Sequence, residues 1–302
     1  MDLTGSEHAA APAVNRAIKT IAGGERIRYA LKKREGRLAQ DAAARYEHIL
    51  VEREGPITIV TINRPAVYNA LHKPAHFELH DAFDRFAADP DQWVAIVTGA
   101  GDKAFCAGND LKHQAAGGER GWASSGFGGL VQRFDLNKPV IAAVNGFAMG
   151  GGFEVALACD LIVAAENATF ALPEPSVGLA AIAGGLLRLP REIGMKRAMG
   201  MILTGRRVGA REGFDLGFVN EVAPEGQALA GAKRWARQIL ELSPMSVRAS
   251  KEVATRGFDM PLAEAMAAQM EFPAVKAMQG SADFVEGPRA FAEKRKPDWS
   301  GR

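Results

Sequence analysis

The sequence predicts an α/β fold in which short buried strands alternate with helices and a helical region follows. Three observations carry this. Trp93–Thr98, Val140–Val144 and Leu161–Ala165 are continuous apolar runs, suited to strands buried on both faces of a parallel sheet. Segments with helical spacing stand between and around them. From about residue 190 the pattern turns mostly helical, over 191–203, 210–217, 225–242, 245–257, 260–278 and 282–294.

Residues 1–45 are Ala-rich and weakly periodic, with nine Lys/Arg against five Asp/Glu and a break at Gly23-Gly24. They read as a basic extension, partly helical or mobile. Order is expected from Tyr46, giving a core over 46–240 and a C-terminal helical region over 241–302. HILVERE (48–54) and ITIVTIN (57–63) alternate and are split by Gly55-Pro56, the pattern of a hairpin. In 74–88, Leu79, Phe83 and Phe86 mark one buried helix face. The stretch 113–129 is glycine- and serine-rich without a period and reads as a long loop or broken helix. No repeat of fixed length is visible.

Composition excludes several classes. With 47% hydrophobic and 24% charged residues over 302 positions, the chain is globular and buries a real core. A net charge of +2 gives no basic field, so nucleic acid is not an expected partner. Two cysteines, Cys106 and Cys159, suggest a reducing, cytoplasmic compartment without a disulfide framework. The apolar stretch 139–165 is long enough to span a bilayer, but it carries Asn145, Glu154 and Asp160. It reads as strand, glycine turn, helix and strand in a core. No membrane association is expected.

Three segments suggest chemistry. In AFCAGND (104–110), small residues at Ala107 and Gly108 let a ligand approach the backbone, where N–H groups can face an anion or carbonyl; a plain tight turn fits as well. In NGFAMGGGFEVALACD (145–160), Gly150, Gly151 and Gly152 precede an apolar helix whose N-terminus favours negative charge. Glu154 lies in that helix's first turn. In FALPEPSVGL (170–179), Pro173 and Pro175 flank Glu174, so a stiff, extended backbone is expected. Its apolar surroundings would raise its pKa and suit it to proton transfer. Two carboxylates and two backbone donors would make a proton-transfer site with an oxyanion hole. Cys106 reads as a small packing residue, and His72, His76, His80 and His113 show no metal-ligand spacing.

These segments, with NRPAVYNAL (63–71), LTGRRVGAREGFDLGFVNEV (203–222) and EGPRAFAEKR (286–295), resemble the crotonase, or enoyl-CoA hydratase/isomerase, superfamily over about 46–302. GGLLRLP (184–190) and the last block lean toward its carnitinyl-CoA dehydratase-like branch. The resemblance implies a crotonase-type ββα spiral core with a C-terminal helical trimerisation region. It implies an acyl-CoA substrate, with coenzyme A carried by the thioester and no other cofactor or metal. The backbone N–H groups of Asn109 and Gly151 would hold the thioester oxygen. Glu154 would activate water for attack at Cβ, and Glu174 would exchange the proton at Cα. Retention of both acids favours hydratase chemistry over an isomerase. Coenzyme A would lie along 64–71 and 104–111, touching Arg64, Ala66, Tyr68, Leu71, Lys103, Ala107, Gly108, Asp110 and Leu111, with Gly150 and Pro173 nearby. Ala66 stands where the family often has a basic residue. Phe291 and Lys294 match positions that reach coenzyme A from a neighbouring subunit, implying a homotrimer or dimer of trimers. The stretches 113–129 and 177–185 would line the acyl side. A binding protein using the basic extension for RNA or a partner is the competing reading from another class, but acidic residues are interspersed there and no aromatic stacking platform accompanies those charges.

Overall fold

The computed structural model describes residues 46–302; the basic extension expected over 1–45 lies outside the described residues. The hairpin forms as expected, from β1 (Ile49–Glu54) and β2 (Ile57–Ile62), antiparallel with Ile49 opposite Ile62. β2 then pairs in parallel with β3 (Val94–Gly99), β3 with β5 (Val140–Val144), β5 with β7 (Leu161–Ala165), and β7 with β10 (Glu221–Ala223). The result is a six-stranded sheet in the order β1-β2-β3-β5-β7-β10.

The continuous apolar runs are explained by burial on both faces. Along each strand, alternate residues enter opposite cores. Val60, Val97, Ala142 and Ala164 face the larger core, with Leu79, Phe83 and Phe86 of α1 (Lys73–Ala88). Ile59, Ile96, Ile141 and Val163 face a second core, covered by Ala228, Ala232 and Ala236 of α7 (Ala228–Leu240). Alanines on α7 let that helix lie close to the sheet.

A second, four-stranded sheet was not foreseen: β4 (Ala104–Cys106), β6 (Phe147–Met149), β8 (Thr169–Ala171) and β9 (Val208–Gly209), in the order β4-β6-β8-β9. β4, β6 and β8 run parallel, and β9 closes the edge antiparallel. The core is therefore a repeated ββα turn. β3 leads to β4 and α2 (Leu111–Ala115). β5 leads to β6 and α3 (Gly151–Ala158). β7 leads to β8 and a 3₁₀ turn at Glu174–Val177. The turns start at Val94, Val140 and Leu161, at unequal intervals, so no fixed period marks them in the sequence.

Three expectations are corrected. The helix expected over 191–203 is two, α4 (Gly185–Ile193) and α5 (Met195–Thr204), because Gly194 adopts φ 80 and ψ 150 between them. The helix expected over 260–278 is α9 (Leu262–Ala268), a 3₁₀ turn at Gln269–Glu271, and α10 (Pro273–Gln279). Phe272, preceding Pro273, is held extended at ψ 137 and breaks the run. The backbone at Glu174 is a 3₁₀ turn rather than extended: Pro175 falls in its first turn, where a missing N–H costs nothing. Between the corrected segments lie α6 (Ala210–Leu216) and α8 (Pro244–Phe258), and α11 (Ala282–Ala292) comes last, near their expected bounds.

Candidate active site

The three parallel strands of the small sheet end at one cleft. After β4 come Ala107–Leu111, after β6 come Gly150–Glu154, and after β8 come Pro173–Val177. Residues from all three segments line a cavity of about 570 Å³. The topology thus gathers the three segments that carried chemical signals in the sequence.

Glu154 points into the cleft from the first turn of α3 and is 3% exposed. Its Oε1 accepts the Gly185 N–H at 2.8 Å. Gly185 packs closely on this side chain: a Cβ there would lie 3.0 Å from the Glu154 Cγ and would press on it. Burial, with a smaller push from the neighbouring Glu174 carboxylate, moves Glu154 up to about 7, against the pull of backbone N–H groups. Burial also raises Glu174. Its Oε1 lies over Gly150, 2.7 Å from where a Cβ would stand, and its Oε2 is buried without a hydrogen-bond partner. An unpaired carboxylate oxygen in an apolar cleft is costly unless a proton or a ligand meets it.

The two expected backbone donors flank the same space. Gly151 opens α3, and the first N–H groups of a helix have no intrahelical acceptor. Gly150 does not contribute one, because its N–H donates to the Ala171 carbonyl at 2.9 Å. Asn109 sits in a parallel bridge with Leu71. The Gly108 carbonyl and the Asp110 N–H make that bridge, at 2.7 and 2.8 Å, which turns Asn109's own N–H to the other side. Gly108 has φ 88, and a Cβ on it would meet Gly151 N at 3.1 Å. The two donor segments are therefore in contact. Gly152 is packed too: a Cβ there would lie 2.0 Å from the Cys106 carbonyl oxygen.

Of the positions expected along coenzyme A, Ala107, Gly108, Asp110, Leu111, Gly150 and Pro173 line the cleft. Arg64, Ala66, Tyr68, Leu71, Lys103, Phe291 and Lys294 do not. Arg64 is already engaged within the chain. Its guanidinium pairs with Asp110 at 3.0 Å and donates to the Ala70 carbonyl, so it braces the cleft edge from behind. Asp110 in turn caps α2 through the His113 N–H at 3.0 Å. That bond and Arg64 outweigh burial and hold its carboxyl below the usual range. Leu71 is fully buried, and Ala66, Tyr68 and Lys103 lie exposed nearby. Within NRPAVYNAL, the Asn69 side chain donates to the Ala100 and Ala104 carbonyls at 3.0 and 2.7 Å and ties its loop to β4.

The cleft also contains residues not foreseen individually, among them His72, His76, Trp122 and Phe127. His76 shares the α1 face of Leu79, Phe83 and Phe86, so the spacing that marked those residues also marks it. Leu179, Ile182 and Ala183, from the expected acyl-side stretch, line the cleft as well. Among the described residues, no group of three or more His, Cys, Asp and Glu side chains is arranged to hold a metal.

The sequence profile of the enoyl-CoA hydratase/isomerase family matches residues 52–302. The chain belongs to that family. It is 43% identical over 263 residues to a carnitinyl-CoA dehydratase from Salmonella enteritidis PT4, covering 85% of this chain and 99% of that one. An enoyl-CoA hydratase structure from Mycobacterium tuberculosis H37Rv superposes with a TM-score of 0.80 at 42% identity, covering 84% of this chain and 99% of that one. A carnitinyl-CoA hydratase structure from Mycobacterium avium gives a TM-score of 0.67 at 41% identity, with the same coverage. The ββα spiral is thus the crotonase-type fold expected from the sequence.

Proposed function

We propose that the chain is an enoyl-CoA hydratase, a carbon–oxygen lyase that adds water reversibly across the Cα–Cβ double bond of a 2-enoyl-CoA. The observation that carries this reading is a pair of carboxylates on one cleft, Glu154 fully buried and Glu174 half-buried with its Oε2 unpaired. Two close carboxylates in an apolar site share a proton, because both cannot ionise cheaply. That is the state water addition needs. Ionised Glu154 takes a proton from water as its oxygen bonds to Cβ. Protonated Glu174 delivers its proton to Cα. The product has gained one water, Glu154 has gained a proton and Glu174 has lost one; proton exchange with solvent restores the starting state. Between these steps the thioester oxygen carries negative charge, met by the N–H groups of Asn109 and Gly151. Losing one such donor costs roughly 2.7–4 kcal/mol in comparable sites.

An isomerase shuttles one proton and needs no second acid to activate water, so two acids at one cleft speak against it. Within hydration, the carnitinyl-CoA dehydratase reading is favoured by the 43% identity to enzymes of that name. Coenzyme A arrives on the substrate, and no resident cofactor is required. The C-terminal helices expose Phe258, Leu262, Met266, Phe284 and Phe291, the last 86% exposed. Such a face supports a homotrimer or dimer of trimers in which Phe291 and Lys294 reach a neighbour's coenzyme A. Among the described residues no helix is long and apolar enough to cross a membrane. Both cysteines are free, in keeping with a cytoplasmic setting.

The test monitors the conjugated enoyl-thioester absorbance with crotonyl-CoA, a longer enoyl-CoA, crotonobetainyl-CoA and an aromatic enoyl-CoA. Loss of absorbance with the wild type, abolished in a Glu154→Gln/Glu174→Gln double variant, is expected, and the fastest substrate names the branch. Coenzyme A thioester binding without loss of absorbance on any member would overturn the hydratase reading.

A further inference from the structure

The cleft wall facing α3 is made by a turn that local sequence alone would not hold. In GFGG (126–129), Gly126, Gly128 and Gly129 all have positive φ, at 80, 63 and 71. Glycines give the unfolded chain its widest freedom, so this turn needs an external restraint. Phe127 within it is nonetheless 3% exposed, and its ring lies 2.4 Å from where a Cβ on Gly151 would stand. The phenyl ring packs against the Cα side of Gly151, next to one of the two backbone donors.

The restraint comes from α1. His76 Nδ1 accepts the buried Gly128 N–H at 3.0 Å. One turn on, His80 Nδ1 pairs with the Ser125 hydroxyl at 2.9 Å. The His76 ring also meets the Phe127 ring edge-on, with centroids 4.3 Å apart, and the Trp122 ring at 6.1 Å. His76 is 2% exposed, and burial lowers it to about 4, so at ordinary pH the ring is neutral and its Nδ1 is free to accept. The proton of the neutral ring then sits on Nε2.

We propose that His76 is a positioning residue: by accepting the Gly128 N–H it holds Phe127 against Gly151 and fixes the wall beside the backbone donors, with His80 as a second staple through Ser125. The inference rests on the hydratase reading for its effect on rate, but not for its effect on the turn. A ring serving only as core filler would need volume, whereas a staple needs an acceptor at one place. An asparagine carbonyl oxygen, bonded to Cγ as Nδ1 is, can supply that acceptor; leucine fills similar space and cannot.

The experiment uses the full chain as wild type, His76→Asn, His76→Leu and His80→Ala. Hydrogen exchange of the peptide containing Gly128 is read together with steady-state kcat and KM on the best enoyl-CoA of the panel. His76→Leu is expected to speed Gly128 exchange about tenfold or more, because a buried hydrogen bond is lost. It should lower kcat by about 10–10²-fold with little change in KM, the scale of a small misplacement of reacting groups. His76→Asn should recover most of both, and His80→Ala should fall between wild type and His76→Leu. Unchanged exchange in His76→Leu, or an asparagine variant no better than leucine at equal folded fraction, overturns the proposal. If His76→Leu does not fold, the pair His76→Asn and His80→Ala decides: protection kept in the first and weakened in the second supports it, and any other pattern overturns it. A wild type that hydrates no enoyl-CoA sinks the hydratase reading, while the exchange measurement still judges the staple.

Discussion

The strands β2, β3, β5 and β7 of the large sheet run five or six residues each, and their side chains enter cores on both faces. The strands of the small sheet run two or three residues, and three of them serve to deliver loops to the cleft. The large sheet is held by area: Ile96, Ile141 and Val163 are interchangeable in kind if volume is kept. The small sheet is held by shape. A Cβ on Gly108, Gly150, Gly151 or Gly152 would lie closer than 3.0 Å to a neighbouring backbone or side-chain atom, which would have to shift. One region supplies stability and the other supplies aim, so substitutions in the two should separate stability from turnover.

The sharpest separation is expected at the acids. Glu154→Gln and Glu174→Gln should each lower turnover by about 10²–10⁴, the usual worth of a positioned acid or base. Thermal midpoints should hold or rise, because each change relieves a carboxylate whose charged form desolvation disfavours. Stopped-flow hydration and calorimetry on the same preparations check this. A variant that keeps its rate loses its assigned role.

The reverse pattern is expected in the large sheet. Ile141 is fully buried, and Ile141→Ala should cost about 2–5 kcal/mol in urea unfolding while activity per folded molecule stays within about twofold. Gly152→Ala, beside the small sheet, should damage both. Its Cβ would sit 2.0 Å from the Cys106 carbonyl oxygen, so α3 must shift, costing about 1–3 kcal/mol and disturbing Gly151 beside it. Full activity in Gly152→Ala would break the comparison.

The same contrast explains what was legible in the sequence. Val140–Val144 and Leu161–Ala165 show their true bounds because burial on both faces leaves an unbroken apolar run. Thr169–Ala171 and Phe147–Met149 stay hidden because three residues carry no period, and their pairing is a tertiary fact. The acids and glycines of the cleft are legible as ordered motifs, and the fold brings them together. The pairing of Arg64 is not legible, because its partner, Asp110, lies 46 positions away and meets it only in the fold. His76 fits no metal spacing, and its signal lies instead in its place on the buried face of α1.

A smaller effect comes from pH. Burial raises Glu154 to about 7 in the folded state, against 4.5 when exposed. Between these values the folded state holds a proton that the unfolded state releases. Stability should therefore be complete below about 4.5 and fall as pH rises toward 7, by on the order of 3 kcal/mol for this group. Glu154→Gln removes that loss, so the difference between wild type and variant in urea midpoint should open between pH 5 and pH 8. A difference that does not depend on pH would mean that burial does not raise Glu154 in the folded state.

The smallest effect tests whether aim extends to every side chain near the cleft. Cys106 ends β4, directly before Ala107 and Gly108, where a nucleophile would be well placed. It is fully buried, and burial pushes its thiol up to about 12, so the reactive thiolate is scarce at neutral pH. Its sulfur instead accepts the Gly108 N–H at 3.4 Å, a weak restraint on a glycine already fixed by the Leu71 bridge. Cys106→Ala should thus cost about 1 kcal/mol in stability and leave kcat within about twofold. The native thiol should resist alkylation at pH 8 until the chain unfolds. A large fall in kcat at unchanged stability would instead make the sulfur part of the reaction, and the division between the two sheets would have to be redrawn at that residue.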